Sequence, residues 1–149
     1  MARIEGEIII AAPIEQVFDT VADERNEPRY NPRIIRARKT SPGPIGRGTR
    51  FTVEPRGMGR RGVMTMQVVD YDRPRRLATS VRSPYMDVDG TLTFAAADGG
   101  GTRMRWSWDM TLRGATRALS PLIRVIGPRW EYRNWAGLKK FAENARGDA

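Results

Sequence analysis

Thr102-Arg103-Met104-Arg105-Trp106-Ser107-Trp108-Asp109-Met110-Thr111-Leu112 alternates without interruption. Met104, Trp106, Trp108, Met110 and Leu112 fall on one side; Arg103, Arg105, Ser107, Asp109 and Thr111 fall on the other. A period of two is the repeat of a β-strand, and strict alternation gives it one covered face and one wet face. The expectation is an antiparallel strand whose Met and Trp side chains face another layer.

The flanking sequence says what that layer is. Upstream, Asp98-Gly99-Gly100-Gly101 is a hairpin turn by composition. Before it, Met86 to Ala96 alternates again, with Met86, Val88, Gly90, Leu92, Phe94 and Ala96 on one face. Arg76–Arg82 carries Leu77, Thr79 and Val81 in phase; Gly62–Tyr71 carries Met64, Met66 and Val68; Thr49–Arg56 carries Phe51 and Val53. Ile34–Thr40 and Arg3–Ile10 are further short strands, and glycine- or proline-bearing turns separate most of these segments. Pro13 opens a short helix through Ile14, Val17, Phe18 and Val21, and Asp23–Asn31 reads as a loop or a short second helix. Downstream, a run from about Ala118 to Asn144 carries Leu119, Leu122, Ile123, Ile126, Trp130, Leu138 and Phe141 at helical spacing. Gly127-Pro128 predicts a kink there, or a short helix to Ile126 and a longer one from about Pro128. The order predicts one α+β domain over residues 1–149, a helix-grip in which a curved antiparallel sheet of about seven strands surrounds a long C-terminal helix. Such a sheet and helix enclose a space that is either packed solid or left as a pocket.

Composition narrows the chemistry. A chain of 149 residues is long enough to bury ~70% of its unfolded surface. It contains no Cys and no His. Thiol nucleophiles, disulfides, His-based triads and zinc sites built from Cys or His are therefore excluded. Carboxylates, Tyr, Lys, Arg, Ser and backbone groups remain, and no cofactor or metal is expected. No apolar run approaches the ~20 residues of a membrane span. The apolar stretch Ile8–Ile14 follows Glu5 and Glu7 and contains Pro13, unlike a secretory signal. A cytoplasmic location is expected. The net charge of +9 is almost all arginine, scattered rather than run together, which reads as a solvated surface with nucleic acid an unlikely partner.

Met64, Met66, Met86, Met104, Trp106, Trp108 and Met110 share the faces assigned to the interior. Methionine suits a wall that adapts to varied apolar ligands, and the indole N–H can hold one ligand oxygen. The same stripe also suits a plain core. Glu54, Asp87, Asp89 and Asp109 fall opposite the apolar faces and are expected to form ion pairs with arginines in solvent. Asp70 is in phase with Met66 and Val68, so it is the strand carboxylate that could point inward unless a bulge releases it. Tyr30 and Tyr85 lie in segments expected to rim a pocket. Asp98-Gly99-Gly100-Gly101 lacks the following Lys and helix of a phosphate loop.

Several motifs resemble a known family. Ile10-Ala11-Ala12-Pro13-Ile14-Glu15-Gln16-Val17-Phe18-Asp19, Tyr30-Asn31-Pro32 (where the family often has Trp-x-Pro), Gly46-Arg47-Gly48-Thr49-Arg50-Phe51, Tyr71-Asp72-Arg73-Pro74, Gly100-Gly101-Thr102-Arg103-Met104-Arg105-Trp106 and Leu138-Lys139-Lys140-Phe141-Ala142-Glu143 are similar to the START/Bet v1-like (SRPBCC) superfamily, in its polyketide cyclase/dehydrase-like branch. The resemblance spans nearly the whole chain. It implies a fold rather than a reaction, because the superfamily includes carriers, cyclases and co-chaperones. With it, the leading expectation is binding or transport of a small hydrophobic molecule between sheet and helix. The expected contacts are Met64, Met66, Met86, Trp106, Trp108, Met110, Tyr30 and Tyr85, with a mouth near Tyr30, Gly57-Met58-Gly59 and Tyr85. The alternatives are a polyketide cyclase or dehydratase working by proximity, and a basic interaction module for an anionic partner.

Overall fold

The computed structural model describes residues 2–147, with side chains for 2–145. Seven antiparallel strands form one sheet: β1 (Ala2–Ile10), β2 (Ile34–Lys39), β3 (Arg50–Pro55), β4 (Met64–Asp72), β5 (Arg76–Arg82), β6 (Met86–Ala97) and β7 (Gly101–Leu112). Their spatial order is β1-β7-β6-β5-β4-β3-β2, a meander closed on one side by the first strand. Between β1 and β2 lie α1 (Ile14–Ala22), a 3-10 turn at Glu24–Asn26 and the one-turn helix α2 (Glu27–Tyr30). A 3-10 segment, Gly114–Leu119, leads into the long helix α3 (Ser120–Gly147). No helix among the described residues is long and apolar enough to cross a membrane.

The β6–β7 hairpin turns on Gly99 and Gly100, both at positive φ (73° and 79°), which glycine adopts without a side-chain penalty. Across it the inward residues of β7 meet those of β1 and β6: Trp106 stands opposite Gly6 and Leu92, and Trp108 opposite Ile4 and Gly90. The two glycines make room for the two indoles. A Cβ on Gly6 would lie 2.7 Å from Trp106 Cε2, and one on Gly90 would lie 3.0 Å from Trp108 Cδ2 and nearer still to Cε3 and Cζ3.

The core lies between the concave face and the helices. α1 buries Val17, Phe18, Val21 and Ala22, and the Phe18 ring meets Tyr71 and Phe94 edge-on at 5.3 and 5.1 Å between centroids. Such pairs contribute about 0.5–1.5 kcal/mol beyond burial. α3 supplies Trp135, Leu138 and Ala142.

Three expectations change, and the two alternatives for Asp70 are separated. α3 runs unbroken through Pro128 rather than splitting at Gly127-Pro128. Its first half lies on β1 with Gly127 against Ile4, while Leu122 and Trp130 are exposed, as is Leu119 in the preceding 3-10 segment; Trp135, not Trp130, is the helix's buried indole. Asp70 faces outward. A bulge between Val68 and Asp70 shifts the β4–β5 register, so Tyr71 instead of Asp70 takes the inward position beside Phe18, and Asp70 pairs with Arg76 at 2.8 Å. Tyr30 is buried at the end of α2 rather than at a rim.

Candidate functional site

Below the second half of α3 the sheet leaves a cavity of about 190 Å³. Its wall is mostly apolar: Met64 and Met66 of β4, Leu77 and Val81 of β5, Met86, Val88 and Leu92 of β6, Trp108 and Met110 of β7. Alternation brings these side chains together, because each strand turns its odd or even set to the concave face. Of the residues singled out from the sequence, Met64, Met66, Met86, Trp108, Met110 and Tyr30 border this space. Trp106 does not; it is buried beside Trp135, 5.9 Å between ring centroids, and its Nε1 has no hydrogen-bond partner among the described residues. Tyr85 stands outside the wall, its hydroxyl 3.4 Å from the Gly62 carbonyl oxygen and 3.6 Å from Met58 Sδ. The Gly57-Met58-Gly59 turn is likewise not part of the wall.

One end of the cavity is polar, and nothing in the strand pattern pointed to it. Glu24 and Glu27 come from the short turns between α1 and β2, and Tyr30 follows on α2. Glu131 and Asn134 come from α3. The two groups are held together where α2 crosses α3: the Tyr30 carbonyl sits so close to Gly137 that any side chain there would collide with it. Glu131 Oε2 accepts the indole N–H of Trp108 at 2.7 Å and that of Trp135 at 3.1 Å. Glu27 Oε1 accepts from Asn31 Nδ2 at 2.8 Å. Asn134 Oδ1 is buried with no partner among the described residues.

Burial sets the charges here. Glu24 is buried, and desolvation first, then the Glu27 carboxyl beside it, push its pKa well above the ordinary carboxylate range. Desolvation also raises Glu131, opposed by the two indole N–H groups and by Arg33. The Tyr30 hydroxyl is raised by burial and by the surrounding acids. The strand acids behave otherwise. Asp109 pairs with Arg3, Asp89 with Arg82 and Asp87 with Arg113 on the convex face.

The missed residues left one legible signal. Glu131 stands in phase with Trp135, Leu138 and Ala142, an acid inside the buried stripe of a helix. Glu24 and Glu27 leave none, because short polar turns place their side chains by backbone geometry alone.

Over residues 1–145 the sequence matches the family described as polyketide cyclase/dehydrase and lipid transport. The chain belongs to that family. Comparison with curated proteins returns no sequence match. Among solved structures, a START superfamily protein from Mycobacterium smegmatis superposes with a TM-score of 0.82 at 14% identity, covering 97% of this chain and 99% of the other. A hypothetical protein from Helicobacter pylori gives 0.77 at 14% identity, with 94% and 87% covered. The Zhui aromatase/cyclase from a Streptomyces species gives 0.76 at 16% identity, with 95% and 93% covered. At these identities the likeness is one of fold, and it places this member of the polyketide cyclase/dehydrase and lipid-transport family in the helix-grip architecture.

Proposed function

We propose that the protein binds a small, largely apolar molecule in the cavity between the sheet and α3. The observation that carries this reading is the wall itself: methionines, branched aliphatics and an indole enclose about 190 Å³. An apolar cavity of ~150 Å³ is already large enough to take benzene. A soft methionine wall conforms to ligands of different outline. Native mass spectrometry of the protein purified from its own host tests the reading: a small-molecule adduct supports it. Met66→Trp should fill the cavity and remove the adduct while the far-ultraviolet circular dichroism stays native. An adduct that persists in a folded Met66→Trp variant places the ligand elsewhere.

A second reading draws on the polar end. Carboxyl groups kept protonated by burial act as general acids near neutral pH. Glu24 and Glu131 border the same space as the apolar wall, so a bound poly-keto or hydroxy compound would lie within reach of a proton donor. The Streptomyces neighbour titled an aromatase/cyclase makes this the enzyme class to assay. Turnover of such a substrate that survives in Glu24→Gln and Glu131→Gln, both folded, rules acid catalysis by these groups out.

A further inference from the structure

We propose that the polar end of the cavity is an ammonium site, so that the molecule it takes carries a protonated amine on an apolar, ring-sized body. This rests on the cavity-binding reading above and specifies its ligand.

Three independent features converge there. Three carboxyl groups, Glu24, Glu27 and Glu131, border this end together with the Asn134 amide, whose Oδ1 has no partner among the described residues although the residue is only 8% exposed. A buried acceptor without a donor destabilises the fold, and a ligand N–H directed at it recovers that loss. No lysine or arginine lines the cavity among the described residues. Arg33 lowers the Glu131 pKa electrostatically, but its guanidinium lies over the Trp130 ring, 5.5 Å from the centroid, and its Nη2 donates to the Trp130 carbonyl at 3.3 Å. Finally, the acids are flanked by aromatic rings. Tyr30, Trp108 and Trp135 all border the space, with Trp135 6.4 Å from each of the other two between centroids. Aromatic faces beside carboxylates attract a cation through the ring quadrupole.

The chemistry discriminates between head groups. A primary ammonium brings three N–H donors and the missing positive charge. A hydroxyl brings one donor and no charge. A carboxylate would add a further anion to a group of acids that Asp23 already makes more negative. An ammonium favours the ionised form of Glu24, whose pKa burial holds well above the ordinary range, so its binding favours proton release.

Three probes of one shape separate the cases: phenethylamine, 2-phenylethanol and 3-phenylpropanoate, titrated calorimetrically into the full-length protein at pH 7. The expected order is amine tighter than alcohol by at least tenfold, with no measurable uptake of the acid. Proton release should accompany the amine alone, read from the heat in two buffers of different ionisation enthalpy. In Glu131→Gln, and separately in Glu27→Gln should the first not fold, the ratio of amine to alcohol affinity should fall at least tenfold. Alcohol or acid binding as tightly as the amine overturns the ammonium site while leaving cavity binding standing. An amine preference that survives in both folded variants overturns it too. Binding of none of the three overturns both readings.

Discussion

Gly90→Ala is the sharpest test of the packing that shapes the cavity. The added methyl would lie 3.0 Å from Trp108 Cδ2 and closer to two other ring atoms. The obstacle is a broad indole rather than the loose end of a flexible chain. It is stacked on Trp135 and tied to Glu131 at 2.7 Å, so it cannot step aside freely. Overpacking of this kind costs about 1–3 kcal/mol. Displacing the ring also strains or breaks its bond to Glu131, and a hydrogen bond contributes about 0.5–1.5 kcal/mol. Trp135 still donates to the same oxygen, so only part of that is lost. Ala is better than Gly within a strand by about 0.5–1 kcal/mol, which offsets some of the loss. The net expectation is a destabilisation of ~1–3 kcal/mol, or roughly 2–12 °C in Tm at 2–4 °C per kcal/mol. Urea unfolding followed by tryptophan emission and circular dichroism measures it. Gly46→Ala, where a Cβ meets nothing within 4 Å, is the control and should stay within about 0.5 kcal/mol of the parent. A Gly90→Ala protein with unchanged urea midpoint and unchanged emission would refute the argument that the glycine exists to seat the indole.

Phe18→Ala removes a fully buried ring and two edge-on partners, and should cost about 3–5 kcal/mol in the same urea assay. Asp70→Asn breaks only an exposed pair with Arg76 and should change stability by less than about 1 kcal/mol; a larger loss would mean that the carboxylate is used inside the fold after all. Glu24 holds protons in the folded state that the unfolded chain gives up near its ordinary pKa of 4.5. Its contribution is therefore fully present below that pH and is lost as pH rises through the raised folded value. Glu24→Gln, which cannot ionise, should flatten the decline of the urea midpoint between pH 5 and pH 8, and should be more stable than the parent at pH 8. A parallel pair of pH profiles would show that Glu24 does not carry the effect.

The sheet was legible because each strand writes its two faces in alternation. Thr102–Leu112 predicted its own burial, and its register with β1 and β6 puts glycine opposite each indole. The inserted residue in β4 was legible only as one of two alternatives for Asp70. Val69 and Asp70 both turn outward there, and a bulge leaves no mark in a pattern of period two except the mismatch it repairs. The helix was legible as a helix but not in its attachment. Apolar residues on more than one side of it satisfied the periodicity, and only contact with β1 decides that Leu122 and Trp130 stay in water while Trp135 goes in. The carboxyls of the site were hidden for a more general reason. Glutamates are seldom buried, so a reading by composition sends them all to the surface.

The distribution of charge over the molecule has a kinetic consequence. The chain as a whole carries an arginine excess and a net charge of +9, whereas the charged side chains that line the cavity among the described residues are all acids. Anions are drawn toward the protein from a distance, whereas a cationic guest of the kind proposed above is repelled on approach. Long-range fields govern encounter, and they fade within a Debye length of about 8 Å at physiological ionic strength. Adding salt should therefore hasten the arrival of a cationic guest while leaving its departure, governed by contacts in the interior, nearly unchanged. The wall, not the approach, decides what stays.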